Sequence, residues 1–173
     1  MAKNVKITMR LFEPGDEVRV GNVLTQGYET PAEARLVSTL RDNGDMAVEL
    51  LAFDARDEAV GYIGFSRHVS PEDWFALSSL SVIPSYHGSG IGADLIRYGL
   101  DYARRARAAA VTVLGDGRYY QRFGFTYKAA QNLSTPYDAQ QTLMYPIKPG
   151  TAFAHERLVY AEAFDALDMA PTR

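Results

Sequence analysis

The sequence predicts a single-domain mixed α/β fold, and three observations carry that prediction. Runs of period-two apolar alternation are interleaved with stretches of helical period in the order β-α-α-β-β-β-α-β-α-β. A glycine-rich junction, Gly88 to Gly92, joins an apolar strand to a long amphipathic helix near the middle of the chain. With 173 residues and 47% apolar content, the chain is long enough for one well-buried core and short of two ordinary domains.

Each element has its own signal. Val5 to Phe12 reads as an opening strand. Glu13-Pro14-Gly15-Asp16 then starts a helix to about Gln26, with Val18, Val20, Val23 and Leu24 inward and Gly27 ending it. Thr30-Pro31-Ala32-Glu33 begins a second helix, in which Leu36, Val37 and Leu40 fall at helical spacing, and Asp42-Asn43-Gly44 stops it. Met46 to Asp54 and Ala59 to His68 alternate as paired strands around Ala55-Arg56-Asp57-Glu58, and Trp74 to Ile83 continues the sheet. From Gly90 to about Ala108, Ile91, Leu95, Gly99 and Ala103 form one stripe with Ile96 and Leu100 beside it, while Arg97, Arg104, Arg105 and Arg107 face solvent.

A strand Ala110 to Leu114, a short helix Arg118 to Arg122, a strand Phe125 to Ala129 and a final strand Gln140 to Ile147 complete the pattern. Pro149-Gly150 breaks it, so residues 1–148 read as the domain and 149–173 as an extension packed on it. Phe153 to Leu167, aromatic-rich, reads as either a helix or a docked edge segment. There is no internal repeat or low-complexity stretch.

Composition excludes several classes of function. The net charge is −3, from 18 basic and 21 acidic residues without a single-sign block, which argues against a nucleic-acid or anionic-membrane surface. No apolar run approaches a membrane span and Met1 to Lys6 lacks a signal-peptide core, so a cytoplasmic protein is expected. Zero cysteines remove disulfides, thiolate ligands and a cysteinyl acyl intermediate, and three scattered histidines give no metal-ligand spacing. No metal is expected, and composition leaves a homodimer open.

The junction is where chemistry concentrates. Leu80-Ser81-Val82-Ile83-Pro84 ends a strand, and Gly88, Gly90 and Gly92 alternate into a helix start, so backbone amides and the first helical turn can cradle a phosphate. A nucleotide-hydrolase loop would need Lys and Ser or Thr where Ala93 and Asp94 stand. Gly88-Ser89-Gly90-Ile91-Gly92-Ala93 fits the dinucleotide pattern G-x-G-x-x-A, with Asp116 downstream. Its position argues against a dehydrogenase: Pro84 to His87 separate strand from glycine, and half the chain comes first.

His87-Gly88-Ser89-Gly90-Ile91-Gly92 after Leu80-x-Val82-x-Pro84 resembles the acetyl-coenzyme A loop of the GNAT superfamily of N-acetyltransferases, Gln/Arg-x-x-Gly-x-Gly/Ala. A second motif follows at the family's spacing: Gly115-Asp116 after the strand to Leu114, then Tyr119-Tyr120-Gln121-Arg122-Phe123-Gly124-Phe125. The resemblance covers about residues 3 to 148, and this variant looks like a bacterial subgroup of predicted acetyltransferases. It implies an acyl-CoA N-acyltransferase fold that moves acetyl from acetyl-CoA to a primary amine, on a small molecule or peptide, by direct attack. A non-catalytic acyl-CoA-binding module on the same fold is the alternative it leaves.

The resemblance also implies roles. Leu80 and Val82 would pair with pantetheine through their backbone. Gly88, Ser89, Gly90, Ile91 and Gly92 would hold the pyrophosphate. Gly115 and Asp116 would border the cofactor, with Asp116 also reading as a helix N-cap. His87 replaces the family's Gln or Arg, and its imidazole donates with a charge that depends on pH. Tyr120, four residues before Gly124, would protonate the leaving thiolate, with Tyr119 as the alternative. No carboxylate lies on Phe75 to Leu80, so water relayed by Ser78 or Ser79 would be the base, with His68, Glu33 and Asp73 as other candidates. Acceptor contacts would come from Tyr28 to Arg35.

Overall fold

The computed structural model describes residues 6–167. Its sheet has six strands in sequence order: β1 (Thr8–Leu11), β2 (Met46–Phe53), β3 (Ala59–Arg67), β4 (Trp74–Val82), β5 (Ala110–Leu114) and β6 (Thr142–Pro146). All neighbours are antiparallel except β4 and β5. The parallel step needs a crossover, which the helix α3 (Ile91–Arg105) supplies. The other helices are α1 (Glu17–Gly27), α2 (Ala32–Asp42) and the single turn α4 (Gly117–Tyr120). The beginning expected for the first strand at Val5 lies outside the described residues.

Alternation along the strands sorts the layers. Ile63, Phe65, Phe75, Leu77, Val111 and Val113 point to one face, where α3 buries Ile91, Leu95, Ile96, Gly99, Leu100 and Ala103, the stripe read from its spacing. Each large apolar side chain buried there contributes about 1.5–3 kcal/mol of transfer free energy. On the other face Leu51, Phe53 and Tyr62 pack against Val20, Val23 and Leu24 of α1 and Val37 of α2. Val18, expected inward, is 73% exposed, because two residues along a helix is more than half a turn from Val20.

Two polar networks are built into that second face. Asp16 does not cap α1 with its side chain. Its buried carboxylate instead takes two bonds from Arg10, at 2.7 and 3.0 Å, which hold its pKa down at about 2. Glu49 accepts from Arg41 and from the Tyr62 hydroxyl, both at 2.7 Å, so that a carboxylate on a central strand is paired rather than stranded.

The strand expected at Phe125 to Ala129 does not form. Thr126 makes one bridge to Met144, after which its Oγ1 accepts the Ala129 N–H at 3.0 Å and turns the chain away. After β6 the chain runs over the second face. It bridges Ser70 through Val159 and Ser134 through Arg157, then forms a short 3-10 helix, Glu162–Ala166. Leu158 packs on Trp74, Ala110 and Met144, and Ala161, Ala163 and Phe164 pack on Leu36 and Leu40 of α2. Among the described residues, no helix is long and apolar enough to cross a membrane.

One irregularity prepares the site. The β3–β4 register passes from Gly64↔Ser79 to Phe65↔Leu77, leaving Ser78 as a bulge whose Oγ donates to Gly64 O at 3.0 Å. The β4–β5 pairing ends just before that point, at Ala76↔Thr112. From there the two parallel strands diverge, as expected where a bulge bends one of them. The C-terminal half of β4 therefore presents an unpaired edge to a gap.

Candidate active site

The gap has the glycine-rich loop on one side and an open cavity on the other. On the first, Gly88 and Gly90 adopt φ of 76° and 86°, values that favour glycine, and no atom lies within 4 Å of a Cβ built at either. Gly90 is the N-cap of α3, its carbonyl accepting from Asp94 N at 3.0 Å. The amides of Ile91 and Gly92, in the first turn, have no carbonyl within the helix to bond. Ser89 is folded inward, its amide and hydroxyl both donating to Tyr86 O. The loop is thus an exposed stretch of backbone at a helix N-terminus, suited to an anion.

The β4 edge beside it carries Leu80 and Val82, and both carbonyls already have partners. The Tyr28 hydroxyl donates to Leu80 O at 2.8 Å and lies 3.4 Å from Leu80 N. His87 Nε2 lies 2.8 Å from Val82 O. A carbonyl only accepts, so Nε2 carries the proton. His87 therefore caps the strand edge, and the structure gives its other nitrogen no bond to the loop.

The cavity, about 650 Å³, opens between the diverging strands on the face covered by α1, α2 and the C-terminal segment. Tyr120 lines it and Tyr119 does not. The two rings are edge-to-face at 5.2 Å. Tyr119 turns to Phe123 and to α3, where its hydroxyl would sit 3.1 Å from a Cβ at Gly92. Tyr120 packs edge-on to Phe125 and lies against Gly115, where an added Cβ would come 2.6 Å from its ring. Burial, then the neighbouring Tyr28 and Tyr119, raise the Tyr120 pKa far above that of a free phenol, so it keeps its proton. Gly115 thus borders the cavity, whereas Asp116 caps α4, accepting from Arg118 N at 2.9 Å.

The base candidates separate by position. Asp73 sits at the far end of β4, exposed, 3.6 Å from Lys148 Nζ. His68 is 3% exposed behind the wall, 2.8 Å through Nε2 from Thr112 Oγ1, and burial lowers its pKa to about 4. Ser78 Oγ is committed to Gly64 O, whereas the buried Ser79 lines the cavity beside the Tyr28 hydroxyl. Glu33 also lines the cavity, and burial raises its pKa above the usual carboxylate value.

Part of the wall was not read from the sequence. Tyr137 and Asp138, from the β5–β6 connection, and Tyr160, Phe164 and Leu167, from the C-terminal segment, all face the cavity. The aromatic richness of the segment after Gly150 was the available signal. It gave no indication of where those rings dock.

Residues 19–125 match the model of the Acetyltransferase (GNAT) family. Over 128 residues the chain is 36% identical to YhbS, an uncharacterized N-acetyltransferase of Escherichia coli, covering 72% of this chain and 77% of that one. A second E. coli protein, the uncharacterized N-acetyltransferase YjhQ, is 34% identical over 68% of each chain. In structure the chain resembles E. coli YhbS crystallised with CoA, at TM-score 0.87 and 29% identity over 95% of each chain. It also resembles a Brucella melitensis GNAT acetyltransferase in complex with acetyl-CoA, at TM-score 0.78 and 28% identity over 92% of this chain and 99% of that one. The chain belongs to the GNAT family of N-acetyltransferases.

Proposed function

We propose that the protein transfers the acetyl group of acetyl-CoA to a primary amine by direct attack, with Tyr120 as general acid and Glu33 as general base. The observation that carries this reading is the position of the Tyr120 phenol, on the wall of a cavity that opens where β4 leaves β5. The pyrophosphate would rest on Gly88 to Gly92, and pantetheine would pair with the Leu80 and Val82 edge, placing the thioester in the gap. The CoA and acetyl-CoA complexes of the E. coli and Brucella relatives support that placement.

The amine enters from the cavity as an ammonium ion and gives a proton to Glu33, directly or through water held by Ser79. Its lone pair forms the new C–N bond at the thioester carbonyl carbon. The carbonyl reforms as the C–S bond breaks, the sulfur takes the Tyr120 proton, and the second proton of the attacking nitrogen passes through water to the Tyr120 phenolate, leaving an amide, CoA thiol and a neutral phenol. Burial suits both partners of that last step: it keeps the phenol protonated, and it raises the proton affinity of the thiolate.

The test is acetyl-CoA-dependent thiol release across a panel of amines, aminoglycosides and peptides. Native protein should turn over at least one acceptor. A Glu33 acting in its ionised form should give kcat/KM an acid limb that falls as pH drops through its raised pKa, and Glu33→Gln should abolish that limb. Acceptor-independent thiol release alone, or an unchanged limb in Glu33→Gln, would overturn the transfer reading or the base assignment respectively.

A further inference from the structure

A second cavity, of about 300 Å³, lies between α3, Phe123 and Tyr145, and no step of the transfer uses it. Three guanidiniums line it together with Asp101: Arg97 and Arg104 from α3, and Arg122 from the 3-10 turn Gln121–Phe123. They are not equally engaged. Arg104 is neutralised in place, 2.8 Å from Asp101 Oδ1 and bonded to the Tyr145 hydroxyl. Arg97 has an exposed partner in Asp94, but at 3.7 Å the pair is beyond hydrogen-bond reach. Arg122 makes no ion pair among the described residues, only contacts with ring faces.

These two less engaged guanidiniums converge. Arg97 lies over the Phe123 ring at 5.3 Å from its centroid, and Arg122 lies over the same ring at 5.4 Å and over Tyr119 at 5.5 Å. Two cations drawn to one ring repel each other, and an anion between them offsets that cost. Tyr119 connects the pair to the glycine loop. Its hydroxyl would sit 3.1 Å from a Cβ at Gly92, and both guanidiniums act on it, opposing the rise that burial gives its pKa. Spacing then selects among the arginines: from Gly92, at 1.5 Å per residue, Arg97 is about 7.5 Å along the helix and Arg104 about 18 Å. In CoA a phosphomonoester stands one ribose away from the pyrophosphate, which suits the nearer arginine and not the farther one.

We propose that Arg97 and Arg122 hold the ribose 3′-phosphate of CoA, so that the protein discriminates CoA from its dephospho form. This rests on the cofactor placement given above and adds to it side chains that lie outside the glycine motif. The phosphomonoester carries a charge of about −1.5 to −2 at neutral pH and has three acceptor oxygens to share between the two guanidiniums. Their planar forks match its geometry. Both arginines are exposed, so the contribution is modest and screened by salt.

Calorimetry with CoA and dephospho-CoA, which differ only in that phosphate, tests the assignment. Native protein should bind CoA about tenfold tighter at low salt, and the ratio should shrink at high salt. Arg97→Gln and Arg122→Gln, both at exposed positions, should each reduce the ratio, and the double variant should abolish it by weakening CoA alone. Arg122→Lys should keep part of the ratio, and Arg105→Gln, outside the cavity, should keep all of it. Equal native affinities for the two ligands, or a ratio that survives the double variant, overturns the proposal and leaves the loop as the cofactor site. Native protein that binds neither ligand overturns both.

Discussion

The two ends of the active site are built in opposite ways. The end proposed for the cofactor is one contiguous stretch, Leu80 to Gly92, and its features are mostly backbone: two glycines at positive φ, the open amides of α3 and the free edge of β4. The end proposed for the acceptor is a cavity lined largely by side chains, from the α1–α2 connection, α2, β4, β5, the β5–β6 connection and the C-terminal segment. Backbone recognition of a common cofactor needs only a local conformation, which a short motif can specify. Recognition of a particular acceptor needs side chains converging from distant positions, and those can vary without disturbing the fold.

The largest effect should come where the ends meet. Tyr120→Phe removes only the phenolic hydroxyl, so kcat should drop on the order of 10²–10⁴-fold with CoA affinity preserved. Tyr119→Phe, whose ring faces Phe123 and α3, should change kcat little. Single-turnover kinetics with any accepted amine, paired with calorimetry, would show this. Equal losses in the two variants would mean that the tyrosine pair supports structure and not proton transfer.

That contrast also explains what was readable in the sequence. The buried stripe of α3, Leu36, Val37 and Leu40 of α2, and the Asp116 cap all follow from spacing within one element, and all were legible. The splay of β4 from β5 was not, because Ser78 looks like one more residue of an alternating strand until its register against Gly64 is known. Phe125 to Ala129 has the composition of a strand, but the Thr126 side chain competes for the backbone and ends the pairing after one residue. The cavity wall was the least legible part. Nothing local links Glu33 to Tyr137 or Phe164, which meet only once the C-terminal segment has packed against α2.

A second perturbation isolates the cofactor end. Gly90 has a left-handed φ of 86°, which Asp tolerates better than most residues but at a cost, so Gly90→Asp should lower stability by about 1–2 kcal/mol. Its carboxylate would stand where the pyrophosphate is expected, and CoA affinity should fall roughly 100-fold, about 2.7 kcal/mol. Thermal melts and calorimetry separate the two quantities. A variant that stays folded and binds CoA like the native protein would show that the loop is not the anion site.

The smallest effect concerns a side chain that reaches from the cavity to the strand edge proposed for the cofactor. Tyr28 leaves the α1–α2 connection and puts its hydroxyl against both backbone groups of Leu80, 2.8 Å from the carbonyl and 3.4 Å from the amide. These are the groups that pantetheine would use, so the hydroxyl and the cofactor compete for one strand edge. Tyr28→Phe keeps the ring but frees Leu80. CoA should then bind roughly two- to tenfold tighter, the worth of one hydrogen bond of about 0.5–1.5 kcal/mol. His87→Ala gives the same comparison one step along the edge, because His87 holds the Val82 carbonyl as Tyr28 holds that of Leu80. Tighter binding in both variants would mean that side chains cap the edge until cofactor displaces them. Weaker binding in His87→Ala alone would place the imidazole on the cofactor. Weaker binding in Tyr28→Phe would make the hydroxyl part of the cofactor site, and the division between a backbone-built end and a side-chain-built end would no longer hold.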